Sequence, residues 1–484
     1  MEPVNASALM GGGPREIAEM RSLRIVRGLV SPAHPNCSWP PAAQLRKVHD
    51  PPRVQKREMA CFVTIDADLK VRQTDAPAGA LVEGHRVAGS EYLRRRSTVC
   101  VLGGIDLVQA LALGGIRSAV VAPPGALARY SRTAERLPWV DPSQAPDALV
   151  TLLIAWARSR PVPPILYYDG DWDLLLISRH RAPLQEAFRF VVAAPDLVED
   201  LVDKERFQML AERLRLPVPP GRCLRATDAP TTVDIPFPVV VKPLTRHPAT
   251  WQPLVRSKAA FAATPEALRA LWPRFAAAGI DVLVQTAVPG PETRVESYHV
   301  YVDGGGDIAA EFTGRKIRTF PREFGHSTAL EVTDASDVLA LGRSLTGRLG
   351  LGGVAKFDFK RHPDGTLYLL EVNPRFNLWH HLGARAGVNI PAIVYADLMG
   401  QPRPPRGHAR AGARWVNPIR DYAAAREEGE SSIAWLRFVA GADAVSGFAW
   451  DDPFLLPRAL LSRFAERVRR RGAVPMGWPP AGAV

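Results

Sequence analysis

The sequence predicts an α/β protein in which a small parallel-sheet domain precedes a region of hairpin-forming strands. From Ser97 onward, short apolar runs alternate with helix-length segments, as a parallel sheet covered on both faces requires. Further along, strand-like runs come in pairs closed by Asp, Gly and Pro turns, the mark of antiparallel hairpins. At 484 residues the chain exceeds one compact core, so about three domains are expected.

Residues 1–96 are rich in Pro, Gly and Arg and show no sustained period. SPAHPNCSWPPAAQ (31–44) reads as coil, and only CFVTIDADLKV (61–71) has strand character. This part reads as a poorly ordered extension or a small accessory fold, with Met59 a second candidate start.

STVCVLGG (97–104) then reads as a buried strand, IDLVQALALGG (105–115) as a helix ending in Gly, and IRSAVVAPP (116–124) as a second strand. ILYYDG (165–170), a helix near 171–187 and FRFVVAA (188–194) repeat the pattern. Gly103-Gly104 and Gly114-Gly115 do not make GxGxxG, and no well-placed acid follows. These glycines therefore read as room for strand–helix packing rather than as a dinucleotide site.

Asp203 is placed to cap a helix over 203–216. FPVVVKP (237–243) is a strand ended by Pro243, and VLVQTAVPG (282–290) is another, ending at a Pro-Gly turn. SYHVYVDGGGDIAAEF (297–312) reads as a hairpin through Asp303–Asp307. The tail from 404 begins in the basic linker PRPPRGHARAGAR and includes an amphipathic basic helix near 453–471, expected to pack on the body of the protein.

Composition narrows the function. The formal charge is +12, yet basic residues are spread along the chain with no nucleic-acid-binding motif, so phosphate-bearing small molecules fit better than nucleic acid. Cys37, Cys61, Cys100 and Cys223 are scattered, which argues against a zinc site or a disulfide framework. The longest apolar runs, such as Leu149–Ala157, are about half of a membrane-spanning length. Residues 1–30 show no secretory pattern, so a cytoplasmic protein without a membrane span is expected. Only nine of the 61 basic residues are Lys, and six of them fall between 204 and 360. Either this is chance clustering, or an Arg-favouring chain keeps Lys where a compact ammonium is needed.

The clearest element is GVAKFDFKRHPDGTLYLLEVNPR, residues 353–375. Strand alternation sets Lys356, Asp358 and Lys360 on one face and Phe357 and Phe359 on the other. His362-Pro363-Asp364-Gly365 supplies a type I turn with Gly at the left-handed position. The return strand puts Glu371 and Asn373 on one face; closure at that turn sets Lys356 roughly opposite Glu371, with Asp358 diagonal to it. Two carboxylates and a carboxamide beside a Lys are hard oxygen ligands of the kind Mg²⁺ takes. The alternative is a solvated hairpin face, against which the apolar YLLEV run and the following Asn-Pro-Arg both speak.

From about 97 to 400 the chain resembles the ATP-grasp superfamily. The resemblance implies a two-lobed fold of mixed and antiparallel sheets that uses ATP and Mg²⁺ (or Mn²⁺), over 197–403. An α/β domain at 97–196 would precede it, and a linker and helical tail at 404–484 would follow. On this resemblance Asp358, Glu371 and Asn373 are the metal ligands, and Lys356 lies near the transferred phosphoryl group. Arg375 would hold the substrate or acyl-phosphate anion. Lys204 and Lys242 correspond to phosphate-contacting lysines, Gln285, Ala287 and Val288 to the strand whose backbone reads adenine, and Glu292 to the ribose-binding acid. GRKIR (314–318) resembles a mobile loop that sets Lys316, with Arg315 or Arg318, over the γ-phosphate. The stretch 244–258, Gly-rich in many members, here holds no Gly, and Lys258 would supply charge instead.

The branch most similar is that of the D-aspartate-ligase-like carboxylate–amine ligases. It implies a small carboxylic acid and an amine as partners, joined through an acyl phosphate, with a homo-oligomer left open. Arg375, Arg385, His380 and His381 are candidates for a carboxylate pocket. The rival readings are a non-catalytic or weakly active ATP-binding protein, a carboxyphosphate-type carboxylase, and a dinucleotide-dependent enzyme.

Overall fold

Short strands with every residue buried are covered on both faces. β1 (Val99–Leu102), β2 (Ser118–Val121) and β4 (Ile165–Tyr168) are of this kind and wholly buried, whereas the edge strand β3 (Ala134–Arg136) is not. They form a parallel sheet in the order β3-β2-β1-β4. Helices α1 (Ile105–Leu113), α2 (Pro146–Arg158) and α3 (Asp171–Arg179) lie among these strands in the chain. The computed structural model describes residues 98–462, apart from 229–232, 245–249, 256 and 450–451, and these fall within the unit Pro77–Val484. The readings made for 1–96, including the coil at 31–44 and the strand at 61–71, lie outside the described residues.

FRFVVAA (188–194), expected as a strand, makes only a single bridge, Arg189 to Ile165. The Tyr168 hydroxyl donates to the Val191 carbonyl at 2.8 Å, and Pro195 opens α4 (Pro195–Val202), so the chain turns away before a ladder can form. Asp203 caps α5 (Lys204–Arg213), accepting from the Arg206 N–H at 2.9 Å.

The first lobe is a sheet of β5 (Gly221–Leu224), β6 (Val239–Pro243), β7 (Ala260–Ala262) and β8 (Val282–Thr286), in the antiparallel order β5-β8-β6-β7. Helix α6 (Pro265–Ala277) closes its core, where Trp251 stacks on Phe275 at 5.4 Å beside Val239, Val241 and Val284. Trp251 starts a short helix, Trp251–Val255, within the Gly-free stretch.

The second lobe is a seven-stranded sheet. β9 (Val295–Val302) and β10 (Ile308–Phe320) form the expected hairpin, β11 (His326–Thr333) follows, and α7 (Ser336–Leu349) leads to β12 (Gly353–Arg361) and β13 (Leu367–Asn373). Helices α8 (Trp379–Ala386) and α9 (Ile390–Leu398) come next. The order β13-β12-β9-β10-β11-β14-β15 is completed by β14 (Arg414–Val416) and β15 (Ala444–Val445), strands absent from the sequence-based expectation of a linker and helices. Strands of two and three residues carry no readable period. Between them lie α10 (Pro418–Glu427) and α11 (Ser432–Ala440). Residues 455–462 are helical, with Leu455 and Ala459 buried in a core shared with β1 and α1. This face packs on the body, as expected; the basic stretch 463–471 lies outside the described residues. Among the described residues no helix is long and apolar enough to cross a membrane.

Candidate active site

The β12–β13 hairpin carries the acids, and one irregularity decides where they point. Next to the turn, Arg361 pairs with Leu367 and Lys360 with Tyr368, but further along Asp358 pairs with Glu371 and Lys356 with Asn373. The register shift between Asp358 and Phe359 leaves Leu370 as an extra residue, a β-bulge. Continued without it, the register would set Asp358 against Leu370 and turn Glu371 to the opposite face. The expected pairing of Lys356 with Glu371 is therefore corrected: Asp358 itself faces Glu371.

Asp358 is buried, 5% exposed. One carboxylate oxygen accepts from Ser297 Oγ at 2.5 Å, and the other lies 2.5 Å from Lys356 Nζ. Ser297 is the residue opposite Asp358 on β9. Glu371 Oε1 accepts from Asn373 Nδ2 at 3.0 Å. Glu371 is enclosed by protein yet open to solvent through the cleft. Desolvation works against its charge, but Lys356, the hydrogen bond from Asn373, and Lys258 hold its carboxyl well below the usual carboxylate range.

In front of the hairpin lies a cleft of about 910 Å³ walled by both lobes. Lys204, Lys242, Lys258, Lys316 and Lys360 line it with Asp358, Glu371 and Asn373, and Lys356 stands just behind. All six lysines of the 204–360 cluster thus meet at one place, which removes the chance reading of their spacing. Lys204 donates to the Pro243 carbonyl at 2.5 Å and Lys242 to Gln285 Oε1 at 3.0 Å. Burial, with Lys242 nearby, pushes Lys204 down to about 8; burial and Lys316 do the same to Lys258. Burial also lowers Lys242. Glu292 balances two ammonium groups, Lys316 at 3.4 Å and Lys360 at 3.5 Å. Ala287 and Val288 line the cleft too, although the Ala287 N–H is already given to the Pro238 carbonyl at 2.8 Å.

Other expectations change. GRKIR is not a loop but part of β10: Gly314 and Arg315 pair with both β9 and β11, and Lys316 and Arg318 with β11. Arg315 is held by Glu331 at 2.7 Å, and Arg318 is buried against Asp421, so neither lines the cleft. His381 is buried on Asp106 at 3.1 Å, and Arg385 is exposed away from the cleft lining. His380 is fully buried, its Nδ1 accepting from the Asn377 N–H, and burial lowers its pKa to about 3. Arg375 does line the cleft, yet its guanidinium is engaged: Nε with Asp171 at 2.6 Å, one terminal nitrogen with the Asp169 carbonyl at 2.8 Å, the other with Asn373 Oδ1 at 3.3 Å. It joins the parallel-sheet domain to the acid-bearing strand.

Lys360 and Asp171 line the cleft without a role in the sequence reading. Lys360 showed itself in the alternation with Lys356 and Asp358, and Asp171 as an acid just past the C-terminal end of β4, where open α/β sheets bind ligands. Near Asp171, burial raises Asp169 to about 6 and, with repulsion from Asp169, Asp173 to about 7. The turn after β1 is tight for a related reason. A Cβ on Gly103 would lie 2.6 Å from the Asp169 carboxyl, which accepts from the Gly104 N–H at 2.7 Å. A carboxylate occupies the start of α1, where a dinucleotide phosphate would have to sit.

Comparison with known proteins places this architecture. The chain has the ATP-grasp fold: residues 281–419 match the family described as ATP-grasp in the biosynthetic pathway with Ter operon. Similar solved structures include an N5-carboxyaminoimidazole ribonucleotide synthetase in its ADP complex, with TM-score 0.51 and 15% identity over 68% of this chain and 84% of that one. A biotin carboxylase from Campylobacter jejuni in a β-γ-ATP complex gives 0.50 and 13% over 65% and 74%. The biotin carboxylase domain of Hydrogenobacter thermophilus 2-oxoglutarate carboxylase, solved with MgADP, ADP and bicarbonate, gives 0.50 and 16% over 65% and 72%. No curated protein matches the sequence.

Proposed function

We propose that the chain is an ATP- and Mg²⁺-dependent carboxylate–amine ligase working through an acyl phosphate. The observation that carries this reading is the direct pairing of Asp358 with Glu371, beside Asn373, at the back of a lysine-lined cleft. Facing carboxylates repel unless a cation lies between them. Lys356 balances Asp358 here, but one ammonium leaves the pair short of neutral.

The donor set fits Mg²⁺. Among the described residues no third acid, His or Cys joins Asp358 and Glu371, so these two and Asn373 would hold the ion and would leave room for the water and phosphate oxygens that Mg²⁺ prefers. When bound, the metal would neutralise charge on the triphosphate. The chain's own part is alignment and further neutralisation. Lys204, Lys242, Lys258 and Lys316, on the cleft walls, would offset the phosphates, and Lys356 and Arg375 would stabilise the acyl oxyanion. The γ-phosphorus passes to a carboxylate oxygen of the acid as its bond to ADP breaks. The amine then attacks the acyl carbon, phosphate leaves, and the amine gives up a proton.

ADP release from purified chain, measured across a panel of carboxylic acids and amines, with the product weighed by mass spectrometry, tests the reading. Release that needs both an acid and an amine supports it, most directly with D-aspartate or a related amino acid. Release stimulated by bicarbonate alone means a carboxyphosphate chemistry instead. Tight Mg·ATP binding with no turnover on any pair means a non-catalytic nucleotide binder.

A further inference from the structure

Of the three cations on strand β10, Lys316 and Arg318 have opposite fates. Lys316 lines the cleft, while Arg318, two residues on, is 4% exposed and turned into the C-terminal helices. A bulge separates them: Lys316 pairs with Leu330 and Arg318 with Ala329, leaving Ile317 as the extra residue. Bulges re-aim side chains in this way. The Arg318 guanidinium meets Asp421 of α10 through two hydrogen bonds, at 2.7 and 3.0 Å, and Glu430 at 3.0 Å, and it lies 4.2 Å from the ring centroid of Phe438 on α11. Asp421 is fully buried and also accepts from Thr328 Oγ1 at 2.7 Å and Trp435 Nε1 at 3.1 Å. Thr328 is on β11, so one carboxylate ties both strands of the β10–β11 hairpin to the C-terminal helices.

The loop of that hairpin is part of the cleft rim. Arg322, Glu323, Phe324, Gly325 and His326 line the cavity. Thr319 Oγ1 donates to the Arg322 carbonyl at 2.7 Å, and Ser257, next to Lys258 in the first lobe, donates to the Glu323 carbonyl at 3.4 Å. Phe324 holds a left-handed backbone, φ 53°, a conformation that persists in a bulky residue only where its surroundings impose it.

We propose that the C-terminal helices are a working part of the cleft: the buried Arg318–Asp421 pair positions Lys316 and the 321–325 rim for a bound polyphosphate. The inference rests on the reading of the cleft as a nucleotide site. Arg318 and Asp421 are positioning residues, since neither lines the cavity.

The test uses full-length protein. Asp421→Asn keeps the shape of the side chain but removes the charge that holds Arg318. The expected result is Mg·ATP affinity about tenfold weaker, as small displacements of aligning groups produce, with KM for ATP rising more than kcat falls. Trypsin cleavage after Arg322, an exposed residue, should accelerate by a similar factor and lose its protection by Mg·ATP. Arg315→Gln, on the same strand but held by Glu331, should leave every readout unchanged. If Asp421→Asn does not fold, Glu430→Gln decides: it removes one of the Arg318 contacts at a part-exposed site and should move affinity and cleavage in the same direction, by less. Wild-type Mg·ATP affinity and wild-type cleavage after Arg322 in a folded variant overturn the inference. Failure of the unaltered protein to bind Mg·ATP would instead overturn the nucleotide reading, while the cleavage rate without nucleotide would still report on the clamp.

Discussion

Asp358 and Glu371 differ in their support. Asp358 is closed in by Ser297 and Lys356, whereas Glu371 opens onto the cleft and keeps its charge only because cations and hydrogen bonds outweigh its desolvation. Both substitutions Asp358→Asn and Glu371→Gln should abolish ATP turnover, by on the order of 10²–10³ or more, with the melting temperature little changed. Near-normal ADP release from either purified variant would defeat the assignment. The lysines make a separate prediction. Lys204 and Lys258, each at about 8 against an ordinary 10.5, lose their protons as pH climbs through 8. Affinity for Mg·ATP should therefore fall across pH 8 to 9 and level off below 7, and Lys204→Met should flatten that dependence. For folding the sign is opposite. The unfolded chain binds more protons between 8 and 10.5, so these two groups make the native state more stable as pH rises through that window. Titrations of binding and of melting temperature should thus move in contrary directions; parallel curves would count against the two lysines as the cause.

At the level of elements, the hairpin's function depends on Leu370. Deleting it restores an unbroken ladder in which Asp358 still pairs with Glu371 and Lys356 with Asn373, but it removes the local bend and twist with which the bulge aims the carboxylates. The expected outcome is a folded protein with weakened Mg²⁺-dependent ADP release, and unchanged turnover in the deletion variant would show the bend to be incidental. Gly314 illustrates a second constraint. An added Cβ would overlap the Trp379 ring and lie 2.8 Å from the Glu331 carbonyl, so Gly314→Ala should cost about 1–3 kcal/mol in urea unfolding, as overpacking does. A change under a few tenths would mean that α8 shifts freely. The hairpin was legible in the sequence because alternation and an Asp-Gly turn define it, and the lysine cluster because Lys is scarce elsewhere. The bulge was not: within the apolar run Leu367–Leu370 nothing marks which residue is skipped. GRKIR was misread as a loop because its charges hide a central strand whose polar side chains find partners on neighbouring elements.

At the scale of the whole molecule, residues 413–449 and 452–462 of the region expected to be linker and tail are built into the sheet and the core. β14 pairs with Ala329–Glu331, and Asp106 of α1 gathers Trp415 Nε1 at 2.8 Å, Ser446 Oγ at 2.8 Å and His381 Nδ1 at 3.1 Å. Truncation after residue 403 would leave Arg318 without Asp421, a loss of about 3–5 kcal/mol, and would strip two donors from a buried carboxylate at about 1–3 kcal/mol each. Against a total stability of roughly 5–15 kcal/mol the shortened chain should not fold. A cooperative melting transition close to that of the full protein, followed by circular dichroism, would refute this. No sequence pattern announces such a role, since the contacts are made by single residues far apart in the chain.

The gathering of lysines in an Arg-rich protein has a practical consequence. Among the described residues every primary amine of a side chain sits at one cleft, and two of them, Lys204 and Lys258, are partly unprotonated near neutrality and hence nucleophilic. A limiting dose of an acylating mass tag should label these two first, and guanidinium groups elsewhere would stay silent. Footprinting of that kind would read cleft occupancy directly in unpurified mixtures of candidate ligands.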